Sequence, residues 1–293
     1  MASSLSLKGM SFTSKKNNIW TFGKIINAGS FGTIYTHEPD KNFLIKTGKE
    51  SIYFETSVLR KLESEVDNNI PKMIDSGKLL PLGFNDTYFI VMPNYGKSLH
   101  SIIEVNPLSQ ELLKSMMTDM LFALYYINSK KYMHLDVNPK NIVFDDIKKN
   151  WCLIDFGLAK NFRNGNFEKD KKYVNHGTPL YMARDAHRGI MSRKCDLESL
   201  AYTMIVAQNI HLPWKDTKNK RTLLIQKNSF FKKDVPLLEI PEYQKIYIIK
   251  VDMLKPEDNW DCEELEHIFI SEMNIKSKDL LIKKTISKIV ESC

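Results

Sequence analysis

His134-Leu135-Asp136-Val137-Asn138-Pro139-Lys140-Asn141, followed by Asp155-Phe156-Gly157, is the stretch that decides the fold of this chain. Between the two clusters lie Ile142-Val143-Phe144 and Trp151-Cys152-Leu153-Ile154, apolar runs separated by the polar residues 145–150, the pattern of a short β-hairpin. One polar cluster enters the hairpin and the other leaves it. Turn-forming Asp and Asn residues beside a hairpin account for any one of Asp136, Asn141 and Asp155. They do not account for all three in this order.

A chemical requirement does. Phosphoryl transfer needs a carboxylate that orients the attacking hydroxyl and accepts its proton, and separate oxygen ligands that hold Mg²⁺ against the phosphates. Asp136 suits the first role, Asn141 and Asp155 the second.

Toward the N-terminus the pattern becomes strand-like. The runs IWTFGKII, GTIYT, NFLIK and YFIVM are separated by Gly, Asn and Asp turn signals, and one helical stretch, SIYFETSVLRKL, interrupts them. Ile26-Asn27-Ala28-Gly29-Ser30-Phe31-Gly32-Thr33-Ile34-Tyr35 is a glycine-containing turn between two of these strands. Glycine lets backbone N–H groups come close to a phosphate, although an ordinary hairpin turn is the better reading of the segment taken alone. Lys46 ends the strand NFLIK, and Glu55 lies on the following helix. A lysine on a buried strand is costly unless paired, so a lysine that meets phosphates and is held by a helix glutamate has a physical rationale; the plain alternative is a strand-end lysine reaching water.

Toward the C-terminus helices dominate. Ser109 is placed to cap an amphipathic run in which Leu113, Met116, Met117, Met120, Leu121 and Leu124 recur at helical spacing, and DLESLAYTMIV and ELEHIFISEM read as further helices. The expected plan is α+β and bilobal. Residues 1–18 are a loose N-terminal segment, 19–92 an antiparallel-sheet lobe with one main helix, 93–96 a hinge, and 97–293 a mostly helical lobe.

With its glycine-containing loop, strand lysine, helix glutamate, His-Leu-Asp loop and Asp-Phe-Gly in this order, the chain resembles the eukaryotic protein kinase family over residues 20–285. Gly177-Thr178-Pro179-Leu180-Tyr181, then Ser192-Arg193-Lys194-Cys195-Asp196-Leu197-Glu198-Ser199-Leu200, then Leu212-Pro213-Trp214 look like the casein kinase I and vaccinia-related kinase group, in a poxvirus-type or other viral form. Ala183-Arg184-Asp185 stands where other branches carry Ala-Pro-Glu, which strengthens the match to this group. The resemblance implies a Ser/Thr protein kinase using ATP and Mg²⁺. Asp136 would be the catalytic carboxylate, Lys46 with Glu55 would position ATP, and Asn141 and Asp155 would hold Mg²⁺. Ile26, Asn27, Ala28, Gly29, Ser30, Phe31, Gly32 and Ile34 would cover the nucleotide. Met92 would be the gatekeeper, Pro93, Asn94 and Tyr95 the adenine-contacting hinge, and Asp196 the anchor of the catalytic-loop backbone.

Three departures bear on activity. Asn27 replaces the first loop glycine, a mild change because Asn tolerates unusual backbone angles. Leu135 replaces the arginine that in many kinases receives an activation-loop phosphate, so activation by that modification is not required. Asn138 replaces a lysine that would neutralise the transferring phosphate, which weakens the electrostatic help to the transition state. Two readings from different classes follow: an active kinase, for which Lys46, Glu55, Asp136, Asn141 and Asp155 are all retained, and a nucleotide-binding pseudokinase that acts as a scaffold.

The whole composition bounds these readings. In 293 residues, 43% hydrophobic, there is material for a sizeable core, and no apolar run approaches the length of a membrane span. Cys152, Cys195, Cys262 and Cys293 are far apart and form no metal or disulfide pattern, so reduced thiols are expected. Without a membrane span or the apolar core of a secretion signal the expected setting is intracellular and cytoplasmic, and the viral resemblance implies a host cell and extends the setting to the nucleus. A net charge of +7 is spread through the chain without a nucleic-acid motif. The basic residues Lys160, Arg163, Lys169, Lys171 and Lys172 are either solvated surface or an attraction for acidic or phosphorylated substrates. Expected partners are proteins with Ser/Thr acceptors, acidic or DNA-associated, met by a monomer; His176, His187 and His211 have no metal-type spacing.

Overall fold

The computed structural model describes residues 7–29, 32–162, 167–234 and 239–271. The chain divides into two compact units, one made of Met1–Glu63, Pro71–Tyr95 and Asp155–Gly157, the other of Ser64–Ile70, Gly96–Ile154 and Leu158–Cys293. This is more than a single cut at residues 93–96. Residues 155–157 join the first unit because Lys46 Nζ donates to Asp155 (2.9 Å) and Phe156 N–H to Glu55 (3.4 Å). Residues 64–70 join the second, where Asn69 donates to the Trp151 carbonyl (2.7 Å) and Leu153 N–H to the Asn69 carbonyl (2.8 Å).

In the first unit, β1 (Ser11–Thr13), β2 (Ile19–Gly29), β3 (Gly32–His37), β4 (Phe43–Gly48), β5 (Asp75–Leu79) and β6 (Phe84–Pro93) form one sheet in the order β1-β2-β3-β4-β6-β5. Every pairing is antiparallel. Its helix is α1 (Glu50–Lys61), with Ile52, Val58 and Leu59 buried. Phe12, Trp20, Phe22, Tyr35, Ile45, Leu79, Phe89 and Val91 make one core cluster.

The expected loose segment 1–18 is corrected at β1. Phe12 sits between Ser11 and Thr13, pairs with Trp20 and is 4% exposed, its ring edge-on to Phe89 at 4.7 Å. The Ser14 hydroxyl adds a 2.6 Å bond to the buried Asp75. Three residues of alternation are too short to signal a strand, but one aromatic ring entering the core suffices to hold them. Residues 1–6 lie outside the described residues.

The second unit is mainly helical: α2 (Leu99–Ile103), α3 (Gln110–Ser129), α4 (Arg184–His187), α5 (Arg193–Val206), α6 (Lys220–Ser229), α7 (Glu242–Met253) and α8 (Cys262–Ile270). Ser109 caps α3 by accepting from Leu112 N–H (3.3 Å), and all six apolar residues expected on its inner face are fully buried. Two-stranded sheets join β7 (Tyr132–Met133) to β10 (Lys160–Asn161), β8 (Ile142–Asp145) to β9 (Asn150–Leu153), and β11 (Phe167–Lys169) to β12 (Ile190–Ser192). β8 and β9 are the hairpin read from the sequence. Its turn is fixed by Asp145, whose carboxylate accepts from the N–H groups of Ile147 (2.9 Å) and Lys148 (3.0 Å). No helix among the described residues is long and apolar enough to cross a membrane.

α5 is buried on every side from Cys195 to Ile205 even though Asp196, Glu198, Ser199 and Thr203 are polar, so each of these groups must be satisfied internally. Beside it, His187 sits against Asn175 (2.9 Å) and Lys227 (3.3 Å). Burial and then the charge of Lys227 pull His187 to about 4 from an ordinary 6.5. The unfolded chain takes this proton below 6.5 and the folded chain only below about 4, so the stability that depends on neutral His187 is whole above 6.5 and is lost as pH falls from 6.5 toward 4. Urea unfolding at pH 7.5 and 5 should show this loss reduced in His187→Gln; an unchanged difference would refute the assignment.

Candidate active site

The catalytic-loop residues of the second unit are arranged around Asp136. One of its carboxylate oxygens accepts from both the N–H (2.9 Å) and the hydroxyl (2.7 Å) of Thr178, and the other accepts from the Asn141 amide (2.9 Å). The same amide nitrogen donates to the Asp136 carbonyl (2.9 Å). Both N–H donors of Asn141 are thereby spent on Asp136, and its amide oxygen is left as the group able to meet a cation. His134 Nδ1 accepts from Asp136 N–H (3.2 Å) while Nε2 meets the Ile154 carbonyl (3.0 Å), which fixes the tautomer with the proton on Nε2.

Beneath the loop, Asp196 accepts from the N–H groups of His134 (2.8 Å) and Leu135 (2.6 Å). Leu135 has φ of +65°, a costly conformation for a leucine, and these two bonds help to impose it. Burial pushes the Asp196 carboxyl above its ordinary range, with His134 and the two N–H groups working the other way. Asn138 is 3% exposed and fully engaged, its amide donating to the Asp136 carbonyl (2.9 Å) and its oxygen accepting from Lys140 N–H (2.9 Å). The residue that departs from the common pattern is therefore a brace of the loop, and Lys140 is exposed.

In the first unit, Lys46 on β4 lies opposite Ile34 and Ile90, 4% exposed, and its ammonium meets Glu55 on α1 at 2.7 Å and Asp155 at 2.9 Å. Burial opposes the charge on Lys46, but Glu55 and then Asp155 outweigh it and hold the amine above its ordinary value. Burial raises Glu55, against the pull of Lys46. One ammonium facing two carboxylates leaves the cluster with negative charge in excess.

Of the loop residues, Asn27 pairs with Ile34, Ala28 with Thr33 and Gly29 with Gly32 across β2 and β3. Asn27, Ala28 and Gly29 are exposed, as is Ile26. Gly32 is required: its φ is +134°, and a Cβ there would lie 2.2 Å from the Thr47 carbonyl oxygen. Ser30, Phe31 and, in the activation segment, Arg163 lie outside the described residues. Met92 is buried on β6 opposite Leu44, and the Tyr95 hydroxyl accepts from Lys72 N–H (2.9 Å).

The protein kinase domain family matches residues 20–289. The chain belongs to this family. Among relatives of this kinase, nucleosomal histone kinase 1 of Drosophila melanogaster is 30% identical over 234 residues, covering 72% of this chain and 39% of the fly protein. The B1 kinase of vaccinia virus (strain Western Reserve) is 28% identical over 296 residues, 91% of this chain and 98% of the viral protein. A probable serine/threonine-protein kinase of fowlpox virus is 28% identical over 240 residues, 73% of this chain and 81% of that protein. The chain is a serine/threonine protein kinase, similar to these kinases of poxviruses, and the scaffold reading is not favoured.

Protein kinases in general use ATP and Mg²⁺. The first unit carries the Asp155 carboxylate and the second the Asn141 amide oxygen, each a hard donor of the type that suits Mg²⁺. Thr178 is not among the site residues that the sequence marks. Its signal is present in Gly177-Thr178-Pro179, yet only the fold brings its hydroxyl to Asp136. The same holds for Arg184, which forks onto the buried Glu198 (3.0 and 3.1 Å) and reaches Asp252 (2.6 Å).

Proposed function

We propose that this kinase transfers the γ-phosphate of Mg-ATP to serine and threonine hydroxyls of proteins, with Asp136 orienting the hydroxyl and accepting its proton. The observation that carries this reading is the carboxylate of Asp136, held from both sides by Thr178 and Asn141. Lys46, kept in place by Glu55, takes the phosphates of ATP, and Asn141 and Asp155 supply oxygen ligands to Mg²⁺. When bound, the metal neutralises charge on the phosphates. Ile26, Asn27, Ala28, Gly29, Ser30, Phe31, Gly32 and Ile34 cover the nucleotide, and Met92 and Tyr95 border the adenine. Asn138 gives the transition state no charge, and rigid placement of Asp136 stands in its stead.

Its substrates, in this reading, are DNA-associated proteins, because the fly relative is named a nucleosomal histone kinase. Lys160, Lys169, Lys171 and Lys172 add a preference for acidic or already phosphorylated surroundings. The kinase works as a monomer in the host-cell cytoplasm, as its viral relatives suggest, and extends to the nucleus. Labelled phosphate transfer from Mg-ATP to casein and to histones tests the reading. Label on serine or threonine in both would support it, and absence of transfer by folded, ATP-binding protein would sink it. Metal roles are tested separately: Asp155→Asn should weaken nucleotide binding at least about tenfold with Mg²⁺ present and little without it. Equal weakening with and without Mg²⁺ would remove Asp155 from the metal.

A further inference from the structure

Lys227, on α6, is fully buried. Its ammonium donates to the Pro179 carbonyl (2.8 Å) and to the Met182 carbonyl, and faces His187 Nε2 at 3.3 Å. With the His187 proton on Nδ1, directed at the Asn175 oxygen, Nε2 accepts the third N–H, and all three donors of the ammonium are used. The rings of Tyr202 and Trp214 lie 5.1 and 5.4 Å from the charge. Trp214 contributes again, for its indole N–H donates to the Leu180 carbonyl (2.8 Å). Residues 179–182 are thus gripped from below at three carbonyls by two side chains that are absent from the catalytic roles above.

The gripped residues follow directly on Thr178, the residue that holds Asp136. Tyr181 and Met182 N–H groups both return to the Thr178 carbonyl (3.0 and 2.9 Å), so a displacement of residues 179–182 moves Thr178 as well. On the other side, Leu135 packs in one apolar cluster with Met182 and Ala183. That leucine occupies the place where an arginine would take an activation-loop phosphate. An apolar contact and a buried lysine therefore stand where a modification would otherwise be read.

Packing alone does not account for Lys227. Burial pulls its amine down to about 7, with Glu198 opposing that shift and Arg184 adding to it, so burying this group carries a cost that an apolar side chain of similar length would avoid. What an apolar side chain could not do is satisfy the Pro179 and Met182 carbonyls.

We propose that Lys227 is a positioning residue for the protein substrate, a built-in latch that, with Trp214, orders residues 178–182 in place of an activation-loop phosphate. The proposal rests on the kinase reading above and concerns acceptor binding, since none of its contacts involves Lys46, Glu55 or Asp155. The test compares phosphatase-treated wild type, Lys227→Met, Lys227→Arg and Trp214→Phe in steady-state transfer to dephosphorylated casein, with the KM for ATP measured alongside.

Treated wild type should remain active. Lys227→Met should lose about tenfold to a hundredfold in kcat/KM for casein with the KM for ATP within about twofold of wild type. Lys227→Arg should regain most of the loss, and Trp214→Phe should raise the casein KM alone. Unchanged casein kinetics in folded Lys227→Met, loss of activity on phosphatase treatment, or equal losses toward ATP and casein with no recovery in Lys227→Arg would each overturn the latch. If Lys227→Met does not fold, Trp214→Phe decides, because an unmoved casein KM there overturns the proposal and a raised one supports it. Wild type that transfers nothing before treatment would instead sink the kinase reading itself.

Discussion

Asp136→Asn should lower kcat by about 10²- to 10⁴-fold while leaving the affinity for ATP close to wild type. The magnitude follows from what the carboxylate does and an amide cannot: accept the proton of the attacking hydroxyl as the phosphorus–oxygen bond forms. Binding should survive because the hydrogen-bond partners of Asp136 among the described residues, His134, Asn138, Asn141 and Thr178, lie outside the Lys46 cluster. The variant keeps one oxygen for Thr178 but turns an amide N–H toward the Asn141 amide, donor against donor, which should cost about 1 kcal/mol of stability. Turnover, an ATP titration and a melting curve on one preparation separate these effects. Turnover equal to wild type would remove Asp136 from catalysis, and a loss matched by global unfolding would make its role structural.

Much of this candidate site is legible in the sequence because its chemistry is local there. Asp136 and Asn141 flank a single loop, Asp155 follows a hairpin whose turn is marked by Asp145, and Lys46 ends a strand whose neighbours are apolar. Each residue alone has another reason to stand there, as a turn former or a strand-end lysine, but their order along the chain has not. The partners that make the loop rigid were harder to read. Thr178 reaches Asp136, Arg184 reaches Glu198 and Lys227 reaches Pro179 only after helices have packed, and a lysine in α6 looks like any solvated lysine until its burial is known. Asn138 shows the same limit from the other direction. As a letter it marks a missing positive charge; in the fold it is an Asx-type brace with both polar atoms engaged. β1 is not legible in the sequence because the hydrophobic pattern of a strand needs more than three residues to rise above chance, while a single buried phenylalanine is enough to fix it.

Lys46→Met should be damaging in two separable ways. Phosphates lose their positive contact, for which a fall in kcat/KM of about 10²- to 10³-fold is expected. The fold loses the partner of Glu55, which is 1% exposed, and breaking a buried pair on one side costs about 3–5 kcal/mol. The second effect depends on pH with a definite sign. Burial already raises Glu55, and once Lys46 is gone the Phe156 N–H is what still opposes that rise among the described residues, so its folded value moves further above the ordinary 4.5. A carboxyl raised on folding contributes its stability below the unfolded value and loses it as pH rises through the folded one. Lys46→Met should accordingly melt closest to wild type near pH 5 and furthest below it near pH 8. Adding Glu55→Gln removes the orphaned charge while the amide oxygen can still accept from Phe156, so Lys46→Met/Glu55→Gln should regain stability at pH 8 without regaining turnover. Recovery of both together would mean that Lys46 serves the fold alone; recovery of stability only would assign the lost turnover to its contact with the phosphates.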